Sequence, residues 1–123
     1  MDIPSGEYGS PSPILKIETE DHGGTYVVRL SGEVDLTTIT LLQGALDGQV
    51  HDSRNVILEC QHLTYMDSTG LNLLADLYRQ GRRFVFVAPT PALQKILKIT
   101  GLDTLLPVAA SVEEAINVLA EEG

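Results

Sequence analysis

The chain has 123 residues, 43% hydrophobic and 20% charged, the balance of one globular domain around a single core. Eight basic against seventeen acidic residues give a formal charge of −9. That charge repels nucleic-acid backbones and anionic lipid surfaces, so neither is an expected direct partner, and a partly basic protein surface is.

The apolar runs are too short to span a bilayer. No basic segment leads into an apolar one at the N-terminus, so no secretory signal is expected. A single cysteine, Cys60, cannot close an internal disulfide and fits a reducing cytoplasm. Residues 1–13 carry Pro4, Pro11 and Pro13 and little to bury, and read as a flexible lead-in.

Leu15 to Thr19 alternates apolar and charged residues, as a half-buried strand does. His22-Gly23-Gly24-Thr25 is a hairpin signal, and Tyr26 to Leu30 is the returning strand, ended by Ser31-Gly32. From Leu36 the period changes: Leu36, Ile39, Leu42, Leu46 and Val50 form one helical stripe, with Asp35 as its N-cap. Val56-Ile57-Leu58 is an unbroken apolar run of the kind buried in parallel sheets. Gln61 to Ser68 reads as a loop. Ser68 to Gln80 is the next helix, with Leu71, Leu74, Ala75 and Tyr78 on one face, Leu73 and Leu77 broadening it, and Gly81 at its C′ position. Phe84 to Ala88 is another buried strand. Pro91 opens a short helix with Leu93, Ile96 and Leu97 inward, stopped by Gly101. Leu105 to Val108 is an edge strand, because Pro107 lacks a ladder donor. Ser111 and Glu114 form a capping box for a final helix with Val112, Ala115, Ile116 and Leu119 on one face.

The order ββαβαβαβα predicts an α/β fold: a mixed, mostly parallel sheet of about five strands with about four helices. Binding surfaces in such sheets form at loops beyond the carboxyl ends of the strands. Three loops qualify: Gly32 to Leu36, Gln61 to Ser68, and Pro89 to Pro91.

The middle loop contains Tyr65-Met66-Asp67-Ser68-Thr69-Gly70-Leu71, with a carboxylate, two hydroxyls and a glycine in consecutive positions. Asp67, Ser68 or Thr69 serves as an N-cap on one reading, worth about 1 kcal/mol. On another, Ser68 is a regulatory phosphoacceptor. A phosphate adds about −1.5 to −2 charge, and free amides at a helix N-terminus can receive its oxygens. On a third, Ser68 is a hydrolytic nucleophile. That reading lacks the G-x-S-x-G elbow, since Met66 stands where the first glycine belongs, and His22, His51 and His62 make a poor case for a base. Cysteine and histidine spacing suggests no metal site, and no nucleotide-binding glycine loop is present. Cys60 reads as a small buried residue. Arg79, Arg82 and Arg83 read as a solvated basic helix end.

These residues match a known family. The chain resembles the STAS domain proteins, and within them the bacterial anti-sigma factor antagonists, over about residues 14–120. Gly32-Glu33-Val34-Asp35 resembles the family's G-E-[LV]-D segment, and Asp67-Ser68-Thr69-Gly70-Leu71 its D-S-[ST]-G-L phosphorylation motif. Gly101-Leu102 resembles the G-L after its third helix, and Ser111 to Ala115 its last helix start. The resemblance makes 14–121 a STAS domain. It implies an antagonist, not an enzyme, whose unphosphorylated form binds an anti-sigma factor and so releases the sigma factor. The anti-sigma factor would be a serine kinase of the GHKL type that phosphorylates Ser68 and thereby ends binding. A PP2C-type phosphatase would restore it. ATP and magnesium belong to the kinase, so no cofactor is implied here. Asp35, Tyr65, Met66, Asp67, Thr69, Gly70 and Asn72 are the implied partner-binding positions, with Tyr65 and Met66 as exposed apolar contacts. Asn72 departs from the family, which often has a second glycine there, and its side chain changes the helix surface beside the site. A STAS scaffold or sensor in another signalling assembly, and a serine-dependent enzyme, are the alternatives.

Overall fold

The computed structural model describes residues 15–48 and 55–122. The lead-in, Val50 and His51 lie outside the described residues. Strands β1 (Leu15–His22) and β2 (Thr25–Val34) form the expected hairpin, with His22 opposite Thr25. Gly23 and Gly24 both have positive φ, 66° and 96°, the turn geometry that matches strand twist. Then follow α1 (Ile39–Gly48), β3 (Asn55–Met66), α2 (Ser68–Arg79), β4 (Arg83–Val87), α3 (Pro91–Thr100), β5 (Val108–Ala109) and α4 (Val112–Glu122). A 3₁₀ turn, Leu102–Thr104, precedes β5. The five strands lie in sequence order, β2 to β5 parallel and β1 antiparallel at one edge. This is the mixed, mostly parallel α/β sheet with the order ββαβαβαβα.

The unbroken apolar strands serve two faces. Val56, Leu58, Phe84 and Phe86 point to one, where α1, α2 and α3 cover them with Leu42, Leu46, Leu74 and Leu93. Ile57, Val85 and Val87 point to the other, where α4 covers them with Ala115 and Leu119. Cys60 is fully buried in the larger core, and burial pushes its thiol pKa far up, leaving an inert packing residue.

The helix ends expected at Gly81, Pro91, Gly101 and Ser111 are present, and the structure adds Thr90 as a cap. Gly81 donates to Tyr78 O after α2, Thr90 caps α3 with Pro91 behind it, and Gly101 closes α3 in the left-handed region. Ser111 Oγ accepts from Glu114 N at 3.1 Å. Glu114 reaches back to Ala110 N, one residue earlier than a full capping box requires.

Several expectations change. β2 continues through Ser31-Gly32 to Val34, and the expected loop from Gln61 is strand as far as Met66. Two extra residues in β3 explain the misreading. Arg29 pairs with Glu59 but Ser31 with His62, and Gly32 pairs with Leu63 but Glu33 with Tyr65. The bulges break the period of two, so Cys60, Leu63 and Met66 are buried at every third position. Leu36 does not join the α1 stripe; it is 74% exposed, in a turn before Ile39. Leu77 replaces Tyr78 on the buried face of α2. Before β5 the chain takes the 3₁₀ turn, so the edge strand shrinks to Val108–Ala109. Arg82 and Arg83 are not a solvated helix end. Arg82 donates to Leu46 O at 3.0 Å and Arg83 to Leu119 O at 3.2 Å, tying α1 and α4 to the start of β4.

These placements separate two leucines that the sequence put on one stripe. Leu46→Ala should lower stability by about 2–5 kcal/mol, as a core truncation does. Leu36→Ala should stay within about 0.5 kcal/mol of the parent. Urea unfolding midpoints of the two variants measure both.

Candidate functional site

β2 and β3 end side by side, with Val34 paired to Met66. Each strand then runs into the same local structure. After β2, Asp35 Oδ1 accepts from Thr37 N at 2.9 Å, Thr37 Oγ1 at 2.7 Å and Thr38 N at 3.2 Å. After β3, Asp67 Oδ1 accepts from Thr69 N at 2.9 Å and from the Thr69 hydroxyl. Both are Asp-x-Thr turns in which the carboxylate caps the amides ahead of it. Asp67 N donates to Val34 O at 3.0 Å, which locks the two turns together. The middle residue of each turn, Leu36 in one and Ser68 in the other, is exposed. Thr38 is the one buried polar side chain among the described residues. Its hydroxyl donates to Glu33 O and accepts from Asp35 N, each at 2.9 Å. The third strand end joins the same edge, where Thr90 Oγ1 donates to Leu63 O at 3.3 Å.

The competition for the N-cap is decided by geometry. Asp67 holds extended dihedrals and caps α2, so Ser68 is the first helical residue. Among the described residues nothing hydrogen-bonds to Ser68 Oγ. The helix amides are largely taken: Asp67 Oδ1 accepts from Thr69 N, and Asp67 O accepts from Gly70 N and Leu71 N. Of the first-turn amides only the Ser68 N–H is left without a hydrogen bond among the described residues, so the several free amides expected for a phosphate reduce to one.

Asn72 lies one turn beyond Ser68 on the same exposed helix face, and Tyr65 is exposed at the end of β3. Asp35, Asp67 and Thr69 are half-buried by their capping bonds. Met66 corrects the expectation of an exposed apolar contact: it is fully buried under α2, because the second bulge turns it into the core. Gly70 is buried too, and its role is close approach. A Cβ there would stand 2.7 Å from Met66 Cγ and 2.7 Å from Val34 Cγ1.

The two described histidines, His22 and His62, lie apart from Ser68. His22 pairs with Glu20 at 3.2 Å at the hairpin, the opposite end of β2. His62 sits within β3, in register with Ser31. Among the described residues no three His, Cys, Asp or Glu side chains converge in a metal-holding group. Leu36 is the residue that sequence reasoning missed. Its signal was the repeated spelling Asp35-Leu36-Thr37 and Asp67-Ser68-Thr69.

Comparison with known proteins gives a consistent picture. Residues 16–115 match the model of the STAS domain. A curated relative, an anti-sigma F factor antagonist of Paenibacillus polymyxa, is 28% identical over 87% of this chain and 94% of its own. An anti-sigma-B factor antagonist of Staphylococcus aureus is 30% identical over 80% of this chain and 96% of its own. The crystal structure of an anti-sigma factor antagonist from Mycobacterium paratuberculosis superposes with a TM-score of 0.75 at 30% identity, covering 85% of this chain and 92% of that one. The Bacillus cell fate determinant SpoIIAA in its phosphorylated form superposes with a TM-score of 0.61 at 25% identity, covering 85% of this chain and 99% of that one.

Two measurements probe the site's construction. Gly70→Ala should cost about 1–2 kcal/mol: overpacking against Val34 and Met66 outweighs the gain in helix propensity. Denaturant unfolding reads this, and the costs of Gly70→Ala and Val34→Ala combined should be less than their sum. The Thr37 hydroxyl, helped by the Thr37 and Thr38 amides, holds the Asp35 pKa below its ordinary 3.8. A carboxylate lowered on folding contributes stability in full above its unfolded value, and loses it as pH falls through the folded one. The Asp35 turn should therefore persist at pH 4 and open only below it. An NMR titration of the Asp35 carboxyl and the Thr37 amide checks the midpoint.

Proposed function

The chain belongs to the STAS domain family, and from that premise we propose that it is an anti-sigma factor antagonist switched by phosphorylation of Ser68. In the unphosphorylated form it binds an anti-sigma factor and frees the sigma factor. The single observation that carries the switch is the division of labour at the start of α2. Asp67 does the capping, so the Ser68 hydroxyl is exposed and unbonded at the first helical position.

The anti-sigma factor is itself the kinase on this reading, of the GHKL type, and supplies ATP, magnesium and the base. Ser68 Oγ attacks the γ-phosphorus, its proton passes to the kinase's base, and ADP leaves. This chain performs no catalysis; it holds the hydroxyl on a turn braced by capping bonds. A PP2C-type phosphatase hydrolyses the ester and returns the hydroxyl. Both encounters belong in the cytoplasm, and Asn72 and Tyr65 flank Ser68 as polar and aromatic contacts.

The phosphate acts through charge. Asp35 and Asp67 flank it, and among the described residues neither carboxylate has an ion-pair partner. About two more negative charges then enter a surface that already carries these two unpaired carboxylates. The one free amide, on Ser68, leaves most of the phosphoryl oxygens dependent on water. A partner that docked there would have to strip that water away, which is costly for a dianion.

Incubation with the cognate kinase and ATP should add one phosphate, and Ser68→Ala should abolish it while leaving the complex intact. Labelling that survives Ser68→Ala would refute the assignment. Ser68→Asp should weaken the complex at least about tenfold by calorimetry, the equivalent of about 1.4 kcal/mol. Equal affinity of the Ala and Asp variants would remove charge as the switch.

A further inference from the structure

We infer that Leu36 is a second anchor of this docking surface, seated in an apolar pocket of the anti-sigma factor, and that phosphate on Ser68 acts largely by keeping that pocket from closing over Leu36. The inference rests on the antagonist reading and adds the contact that the switch controls.

Register places the two residues together. Val34 pairs with Met66 on adjacent parallel strands, and Leu36 and Ser68 each stand two residues further on, in matching Asp-x-Thr turns. Neighbouring strands lie about 4.8 Å apart, so one partner surface covers both positions. The Asp67 N–H to Val34 O bond keeps the turns from separating.

The turn also dictates where Leu36 points. Asp35 Oδ1 holds Thr37 and Thr38, Asp35 O accepts from Ile39 N at 2.8 Å, and the buried Thr38 hydroxyl grips Glu33 O. With the backbone tied on both sides, Leu36 cannot fold back onto α1 and stays 74% exposed. With its backbone already held, Leu36 gives up only its side-chain rotamer freedom when it docks, so most of its burial appears as affinity. Single exposed leucines are ordinary on protein surfaces. Leu36 differs because it occupies, on the neighbouring turn, the position that Ser68 occupies on its own.

Ile99 supplies the control. It is also 74% exposed, but on the last turn of α3, about 13 Å along the helix from the end near Thr90 that joins the site. An apolar pocket over Leu36 must be dry, and a phosphate on the adjoining turn must stay hydrated. The two demands conflict, so the contributions of Leu36 and of charge at position 68 should be coupled.

The test is calorimetric titration of the cognate anti-sigma factor with the full chain and its Leu36→Ala, Leu36→Met and Ile99→Ala variants, each with and without Ser68→Asp. Leu36→Ala should weaken binding about ten- to a hundredfold, the range expected for losing a buried leucine. Leu36→Met should stay within about threefold and Ile99→Ala within about twofold. The loss caused by Ser68→Asp should shrink in the Leu36→Ala background. If Leu36→Ala binds as the parent does while Ser68→Asp still weakens the complex, the Leu36 anchor is wrong and the antagonist reading stands. If the Leu36→Ala loss is equal with and without Ser68→Asp, the coupling is wrong. If the parent chain fails to bind, the antagonist reading itself falls and takes the anchor with it; if Ser68→Asp has no effect, charge as the switch falls and the coupling with it.

Discussion

The close approach of α2 to the ends of β2 and β3 is the constraint on which the site depends. Gly70 allows it, because a methyl group there would press into both Met66 and Val34. With the helix that near, the Asp67 amide reaches the Val34 carbonyl at 3.0 Å, and two turns on neighbouring strands become one rigid surface. Val34 and Met66 form the buried floor beneath it. The bulges in β3 serve the same end. Their extra residues carry the strand to Met66 and turn its side chain inward, so the chain leaves β3 at the level where β2 ends.

Capping by aspartate has a further consequence. Where a serine caps a helix, phosphorylation takes away the capping hydroxyl and perturbs the helix by about 1 kcal/mol. Here Asp67 accepts the amides, and the serine beside it takes no part in holding the fold. Charge can therefore be added or removed at position 68 with the helix start unchanged. The free and modified forms of such a surface differ in what they attract rather than in shape. That separates the charge carried at position 68 from the stability of the helix start.

Much of the fold was legible in the sequence because its signals are local. The Gly23-Gly24 hairpin, the glycines at positions 81 and 101, the Pro91 start and the Ser111 cap each act within a few residues, and all appear in the structure. The errors share a different cause. The outer half of β3 was read as a loop because bulges hide the period of two, and only pairing with β2 makes it a strand. Leu36 was assigned to the core because helical spacing carries no information about where the first turn begins. Met66 was placed on the surface with Tyr65 because the stretch was read as a loop, and a loop reading carries no facing. Arg82 and Arg83 looked like a solvated cluster, since their acceptors, Leu46 O and Leu119 O, are each 36 residues away in the chain.

By itself the sequence determined the element order, the mixed α/β sheet and the stretch around Ser68, because hydrophobic period, turn chemistry and a compact motif are properties of neighbouring residues. Tertiary structure decided what each residue in that stretch does. Whether Ser68 or Asp67 caps α2, whether Met66 or Leu36 meets solvent, and why position 70 is glycine all depend on how β2, β3 and α2 approach one another. Those distances arise between segments some thirty residues apart, and no local pattern encodes them.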